Sequence, residues 1–218
     1  KHLGLQDKKM KIKYKTDIPI GSGLSGSSAI IIAAIRALNK HFNLGINNKS
    51  ELAEKALHIE TDELNIAAGF QDRYVISYGG LLYMDFAGKE YMRGFDEDGF
   101  GRVERIEVDA IPCFLCLGTQ PKSSAVIHNP LRDKFLNCSF EERLKIKSDM
   151  DRIALLADLG KDFIIARDWK EIGKLMNINT QLRDRLGVYL GKETMHLEKD
   201  KEMIDYALSL GALGAKVA

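Results

Sequence analysis

The chain has 218 residues, 45% of them hydrophobic and 29% charged, with a formal net charge of +1. That suffices for a core in one large or two small domains, and so even a charge balance gives no reason to expect a nucleic acid or an anionic membrane as partner. No apolar run approaches bilayer-spanning length and no signal-peptide pattern opens the chain, so a cytoplasmic protein is expected.

Met10, Ile12 and Tyr14 alternate with Lys9, Lys11, Lys13 and Lys15, which predicts a strand with one solvated lysine face. Asp17-Ile18-Pro19 ends it. Residues 19–29 then read Pro-Ile-Gly-Ser-Gly-Leu-Ser-Gly-Ser-Ser-Ala and run directly into the apolar stretch 30–38. This pattern predicts a loop opening a buried helix. The first turn of a helix leaves N–H groups unpaired and carries a partial positive charge, so an anion is welcome there. Gly21, Gly23 and Gly26 let the backbone wrap around phosphate oxygens, and Ser22, Ser25, Ser27 and Ser28 add donors or metal contacts. The alternative is an ordinary loop in which Ser27 or Ser28 caps a core helix. No Gly-Lys-Ser/Thr follows, which excludes a Walker A loop, and no third glycine falls in the dinucleotide register.

Gly45 ends the segment, and Ser50 starts a second helix with Leu52, Ala53, Ala56 and Leu57 at helical spacing and Glu60 near its end. Gln71-Asp72-Arg73 is poor core material and needs a separate explanation. Gly79-Gly80 predicts a turn before a strand over 81–86, and residues 87–101 read as an exposed connection. Strands are expected over 102–108 and 111–117. The second of these would make Cys113 and Cys116 buried, inert thiols rather than a metal or redox pair. The odd total of three cysteines, with Cys138, suits a reducing compartment. A polar loop follows over 119–129. Ser139-Phe140-Glu141-Glu142 is a capping box for a helix to about Ala166, and Asp168-Trp169-Lys170-Glu171 repeats the signal for another to Leu186. A last helix is expected from about Glu198 to Leu210. His2, His41, His58 and His196 show no metal-like clustering.

Pro19-x-Gly21-x-Gly23-Leu24-Ser25-Gly26-Ser27-Ser28-Ala29 resembles the phosphate-binding motif of the GHMP kinases, and its ending is most similar to the glucuronokinase branch. The resemblance implies that Pro19, Gly21, Ser22, Gly23, Leu24, Ser25, Gly26, Ser27, Ser28 and Ala29 hold ATP and that Ser28 contacts Mg²⁺. A second landmark is similar to the sugar 1-kinases of that group: Glu60, then Asp72 twelve positions later, then Gly79-Gly80 and a strand. Phosphoryl transfer is mostly positioning and charge neutralisation. Glu60 is thus the expected metal ligand and Asp72 the expected general base for the attacking hydroxyl. Against these stand a solvated Glu60 beside Asp62 and Glu63, and an Asp72 that caps a helix through Tyr78. Arg73 is expected to pair with Asp72, to reach a substrate carboxylate, or to lie on the surface. The stretch from Pro121 to His128 resembles a glucuronokinase loop, with Ala125 where that family has glycine, and offers Ser123, Ser124 and His128 to a sugar or phosphate. The 175–185 segment is also similar to that branch, with Asn179 or Arg183 facing the substrate.

The fold implied is α+β, the two-lobe GHMP kinase fold: an incomplete N-terminal βαβ-type lobe over 1–109 and a ferredoxin-like α/β lobe over 110–218. The family's first Pro-Arg/Lys strand is not here, and its last glycine-rich strand begins only at 211–216, so the chain is expected to be the middle and most of the C-terminal lobe of a larger kinase. The function implied is transfer of the ATP γ-phosphate to the anomeric hydroxyl of a small-molecule sugar, glucuronate first. Heptose-phosphate, galactose or fucose kinases, and a non-catalytic sugar or nucleotide sensor on the same fold, are the alternatives.

Overall fold

A computed structural model describes residues 3–64, 68–87, 99–117, 124–192 and 198–217, without the side chains of 124–129. The chain divides into two compact units, Lys1–Arg105 and Ile106–Ala218.

In the first unit, α1 (Gly26–Phe42), α2 (Lys49–His58) and α3 (Gln71–Tyr78) pack on one another. Ile32, Ile35, Leu52 and Ala56 form the core cluster, with Leu3, Ile31, Ile46, Ile59 and Ile76 around it. Each fully buried isoleucine contributes about 1.5–3 kcal/mol over leaving it in water. The stretch 30–38 predicts burial nearly all round, yet α1 buries one stripe, Ser28, Ile32 and Ile35, while Ala33 and Ala37 are exposed. Asn48, rather than Ser50, caps α2: its side chain accepts from the N–H groups of Ser50 and Glu51. Arg36 donates to the carbonyls of Ile76 and Ser77 at 3.2 and 2.9 Å, tying the end of α3 to α1.

After Gly79 (φ 72°), β1 (Leu81–Asp85) pairs with β2 (Arg102–Ile106) in a two-stranded sheet. That is the only sheet among the described residues. The alternating segment 9–15 is exposed and irregular instead of a strand, and so is 111–117. A pattern of apolar residues makes a strand only where a second backbone supplies the ladder. Cys113 and Cys116 are consequently exposed, which corrects the expectation of buried thiols.

The second unit is helical. Its helices are α4 (Ser124–Asn137), α5 (Phe140–Ile165), α6 (Trp169–Val188) and α7 (Glu198–Ser209). The loop expected to run to 129 gives way to helix from Ser124. Both cap residues act as N-caps: Ser139 accepts from the Glu142 N–H and Asp168 from the Glu171 N–H, at 3.2 and 3.1 Å, while the Glu142 and Glu171 side chains pair with Lys134 and Lys174. Buried Asp149 of α5 accepts from Tyr189 Oη at 3.0 Å and lies 3.1 Å from Arg185 Nη2. Residues 211–217 dock along α6, where Asn177 Oδ1 accepts from the Ala215 N–H at 3.1 Å and Thr180 Oγ1 donates to the Ala215 carbonyl at 3.2 Å.

Among the described residues, no helix is long and apolar enough to cross a membrane.

Candidate phosphoryl-transfer site

The glycine-serine loop is built from left-handed turns. Gly21 and Gly23 have φ of 70° and 74°, and Ser25, at the cap position of α1, has φ 57°. A residue with a Cβ adopts that conformation only under constraint. Ser25 makes no side-chain cap bond to the first turn of α1, so among the described residues its leading N–H groups and positive dipole end are left for another acceptor. Ser22 Oγ is buried in the loop with no hydrogen-bond partner among the described residues.

Neither Ser27 nor Ser28 is the cap. Both lie in the first turn of α1 and point their hydroxyls at Glu60. Ser27 Oγ donates to Oε1 at 2.8 Å, and Ser28 Oγ lies 3.1 Å from both carboxylate oxygens. Glu60 is 0% exposed, which removes the reading of a solvated helix glutamate. It sits in a π-helical turn, Ile59–Glu63, that continues α2 and closes with the Leu64 N–H on the Ile59 carbonyl at 3.1 Å. Such wide turns shift the side chains that follow around the helix axis and occur often at functional sites.

A buried carboxylate needs a partner charge. Arg73, itself buried in α3, donates through Nε to Glu60 Oε2 and through Nη1 to the Gly69 carbonyl, the latter at 2.6 Å. That excludes a surface role for Arg73. Its Nη1 also lies 3.7 Å from Oδ2 of Asp72, whose side chain is 38% exposed. Asp72 does not cap α3: the helix begins at Gln71 with Phe70 at the cap position and no side-chain cap bond. One guanidinium therefore connects the buried Glu60, the loop carbonyl of Gly69 and the more open Asp72.

Tyr74, next along α3, is buried and donates to Glu54 Oε1 at 2.5 Å while accepting from the Gly101 N–H at 3.1 Å. Burial, reinforced by Glu54, pushes its phenol well above the ordinary tyrosine range. The sequence did not single out Glu54 or Tyr74. The one available signal was a glutamate amid Leu52, Ala53, Ala56 and Leu57, all of which are buried with it.

Pro19, Leu24, Gly26 and Ala29 complete the loop and helix start around Ser27 and Ser28. Ser124 and His128 fall in α4 of the second unit, with side chains outside the described ones, and Ser123 lies outside the described residues. Asn179 and Arg183 are on α6. Asn179 Oδ1 is buried with no hydrogen-bond partner among the described residues, and burial lowers the Arg183 guanidinium below its usual value.

Residues 1–80 match the family model described as the GHMP kinases N terminal domain. Probable glucuronokinase 2 of Arabidopsis thaliana is 33% identical over 210 residues, covering 95% of this chain and 54% of that protein. Glucuronokinase 1 of the same plant is 32% identical over 209 residues, with the same coverage of 95% and 54%. A D-glycero-alpha-D-manno-heptose 7-phosphate kinase of Campylobacter jejuni is 39% identical over 71 residues, 33% of this chain and 21% of that enzyme. The chain thus spans about half the length of the two plant relatives it matches. With its glycine-serine loop and Glu60–Arg73 pair inside the matched stretch, this chain carries a GHMP kinases N terminal domain over residues 1–80.

Proposed function

We propose that the protein carrying this chain is an ATP-dependent sugar 1-kinase that passes the γ-phosphate to the anomeric hydroxyl of a uronic acid, glucuronate foremost. The observation that carries this reading is the approach of Ser27 and Ser28, at the uncapped start of α1, to the buried carboxylate of Glu60. The names of the two plant relatives support the acceptor.

In this reading the loop 19–29 takes the ATP phosphates on its free N–H groups, and the unpartnered Ser22 hydroxyl is a further donor to them. Ser28 and Glu60 offer hard oxygen donors of the kind Mg²⁺ prefers. A Mg²⁺ held there would supply charge neutralisation to the transferring phosphate. Asp72 accepts the proton of the attacking hydroxyl, a contribution of roughly 10²–10⁴-fold. Its partial exposure leaves it accessible to an acceptor, whereas Arg73 is buried and paired with Glu60 in the absence of ligands. Ser124 and His128 are proposed acceptor contacts. The two-lobe arrangement, with a βαβ-type lobe over 1–109 and a ferredoxin-like lobe over 110–218, and the cytoplasmic location belong to the same proposal.

A coupled ADP-release assay on the full-length protein with glucuronate tests it. Asp72→Ala should abolish turnover while ATP binding stays nearly intact, and undiminished turnover would refute the assignment. The match to the heptose 7-phosphate kinase favours a second acceptor class. A panel of free sugars and sugar phosphates scored for 1-phosphate products separates the two. Tight nucleotide binding with no ADP from any sugar would mark a sensor instead.

A further inference from the structure

We propose that Arg73 is a placeholder for the divalent cation at Glu60, closing that carboxylate to a bare ion and yielding it only to a cation that arrives with nucleotide phosphates. This rests on the reading of Glu60 as the metal contact.

Both oxygens of Glu60 are taken. Oε1 accepts from Ser27 and Ser28, and Oε2 from Ser28 and Arg73. The two charged partners are buried, at 0% and 4% exposure, so the pair is neutral in a region water does not screen. Among the described residues no group of three or more His, Cys, Asp or Glu side chains could hold a metal ion. A bare Mg²⁺ thus meets one carboxylate whose charge is already matched. It must either displace the guanidinium from a buried anion or share that anion with a like charge, and both cost free energy. Phosphate oxygens change the balance, because they bring negative charge and most of the coordination shell with the ion.

The local geometry also says where Arg73 goes. Nη1 is anchored on the Gly69 carbonyl, and the next carboxylate within reach is Asp72, 3.7 Å away. A guanidinium released from Glu60 therefore stays on α3 and turns its charge to Asp72. Loading of the cation and placement of Asp72 become one event.

Mn²⁺ binding followed by electron paramagnetic resonance, without nucleotide, tests this on the full-length protein. Wild type and Arg73→Lys should bind Mn²⁺ no better than Glu60→Gln. Arg73→Gln, which keeps a donor to Glu60 but drops the charge, should bind at least tenfold more tightly than wild type. The Glu60→Gln/Arg73→Gln double variant should lose that gain. Tight binding by wild type that Glu60→Gln abolishes, or no gain in a folded Arg73→Gln, would overturn the proposal. Should Arg73→Gln not fold, the ¹⁵Nε resonance of Arg73 in wild type, assigned by its loss in Arg73→Lys, decides. It should stay in place with MgCl₂ alone and shift when MgCl₂ and a non-hydrolysable ATP analogue are added together. A full shift with MgCl₂ alone overturns the placeholder role. If Glu60→Gln leaves the Mn²⁺ affinity of the nucleotide complex unchanged, the metal-contact reading itself has failed, whatever Arg73→Gln does.

Discussion

Ser28 Oγ stands 3.1 Å from each oxygen of Glu60, although the two residues are 32 positions apart in the chain. Both are 0% exposed. The contact joins the start of α1 to the π-helical turn after α2, so the glycine-serine loop and the carboxylate are held as one unit rather than as two flexible pieces. Arg73 adds α3 to the same junction.

Removing one hydroxyl should separate the two serines. A hydrogen bond to a charged group is worth about 1.5–3 kcal/mol, and more is at stake when the acceptor is buried. Ser28→Ala should destabilise the first unit by about 1–3 kcal/mol in urea unfolding. Ser27 is exposed, water can take its place on Oε1, and Ser27→Ala should cost less than about 1 kcal/mol. Equal losses for the two variants would show that burial of Ser28 does not matter.

Gly173 of α6 faces the backbone of the docked segment. A Cβ at that position would lie 2.4 Å from the Leu213 carbonyl oxygen and 2.5 Å from its carbon. Alanine in a helix is otherwise favoured over glycine by about 1 kcal/mol. Gly173→Ala should nevertheless free residues 211–217, because main chain cannot step aside as a side-chain tip can. Hydrogen exchange at the Ala215 amide, which Asn177 Oδ1 accepts in the native state, is the measurement, and it should lose protection. Retained protection would contradict the clash.

Lys216 carries the clearest pH signature. Burial, aided by the nearby Arg183 charge, lowers its ammonium from the ordinary lysine value to about 8. The unfolded chain then binds more protons than the folded one between pH 8 and the ordinary lysine range, so the stability of this unit should rise with pH across that window. Below pH 8 the burden of the buried charge is fully present. Lys216→Met should raise the Tm at pH 7 and remove the upward slope when melting curves are compared between pH 7 and 10. An unchanged slope in the variant would assign the effect elsewhere.

The sequence was most legible where the chemistry is local. The cap signals at Ser139 and Asp168 act within three residues, and in both the cap side chain accepts from the N–H three positions on. Gly21 and Gly23 take the left-handed turns that only glycine adopts freely. The spacing of Leu52, Ala53, Ala56 and Leu57 defines the buried stripe of α2. The alternation at 9–15 and the apolar run at 111–117 were misleading for one shared reason. Each describes a backbone that would suit a sheet, and neither finds a neighbouring strand among the described residues.

By itself the sequence determined the helices α1, α2, α5, α6 and α7, though not α4, where α5 and α6 begin, and that a serine-lined helix start precedes two carboxylates. Only the tertiary structure decided that Arg73 turns inward to Glu60 instead of outward, that Ser27 and Ser28 bind a carboxylate instead of capping α1, and that Cys113 and Cys116 face solvent. Caps and turns are settled by groups within about four residues of one another. The direction of a charged side chain depends on which opposite charge the fold brings beside it, and for Arg73 that charge lies 13 residues back, in a π-helical turn that only packing places.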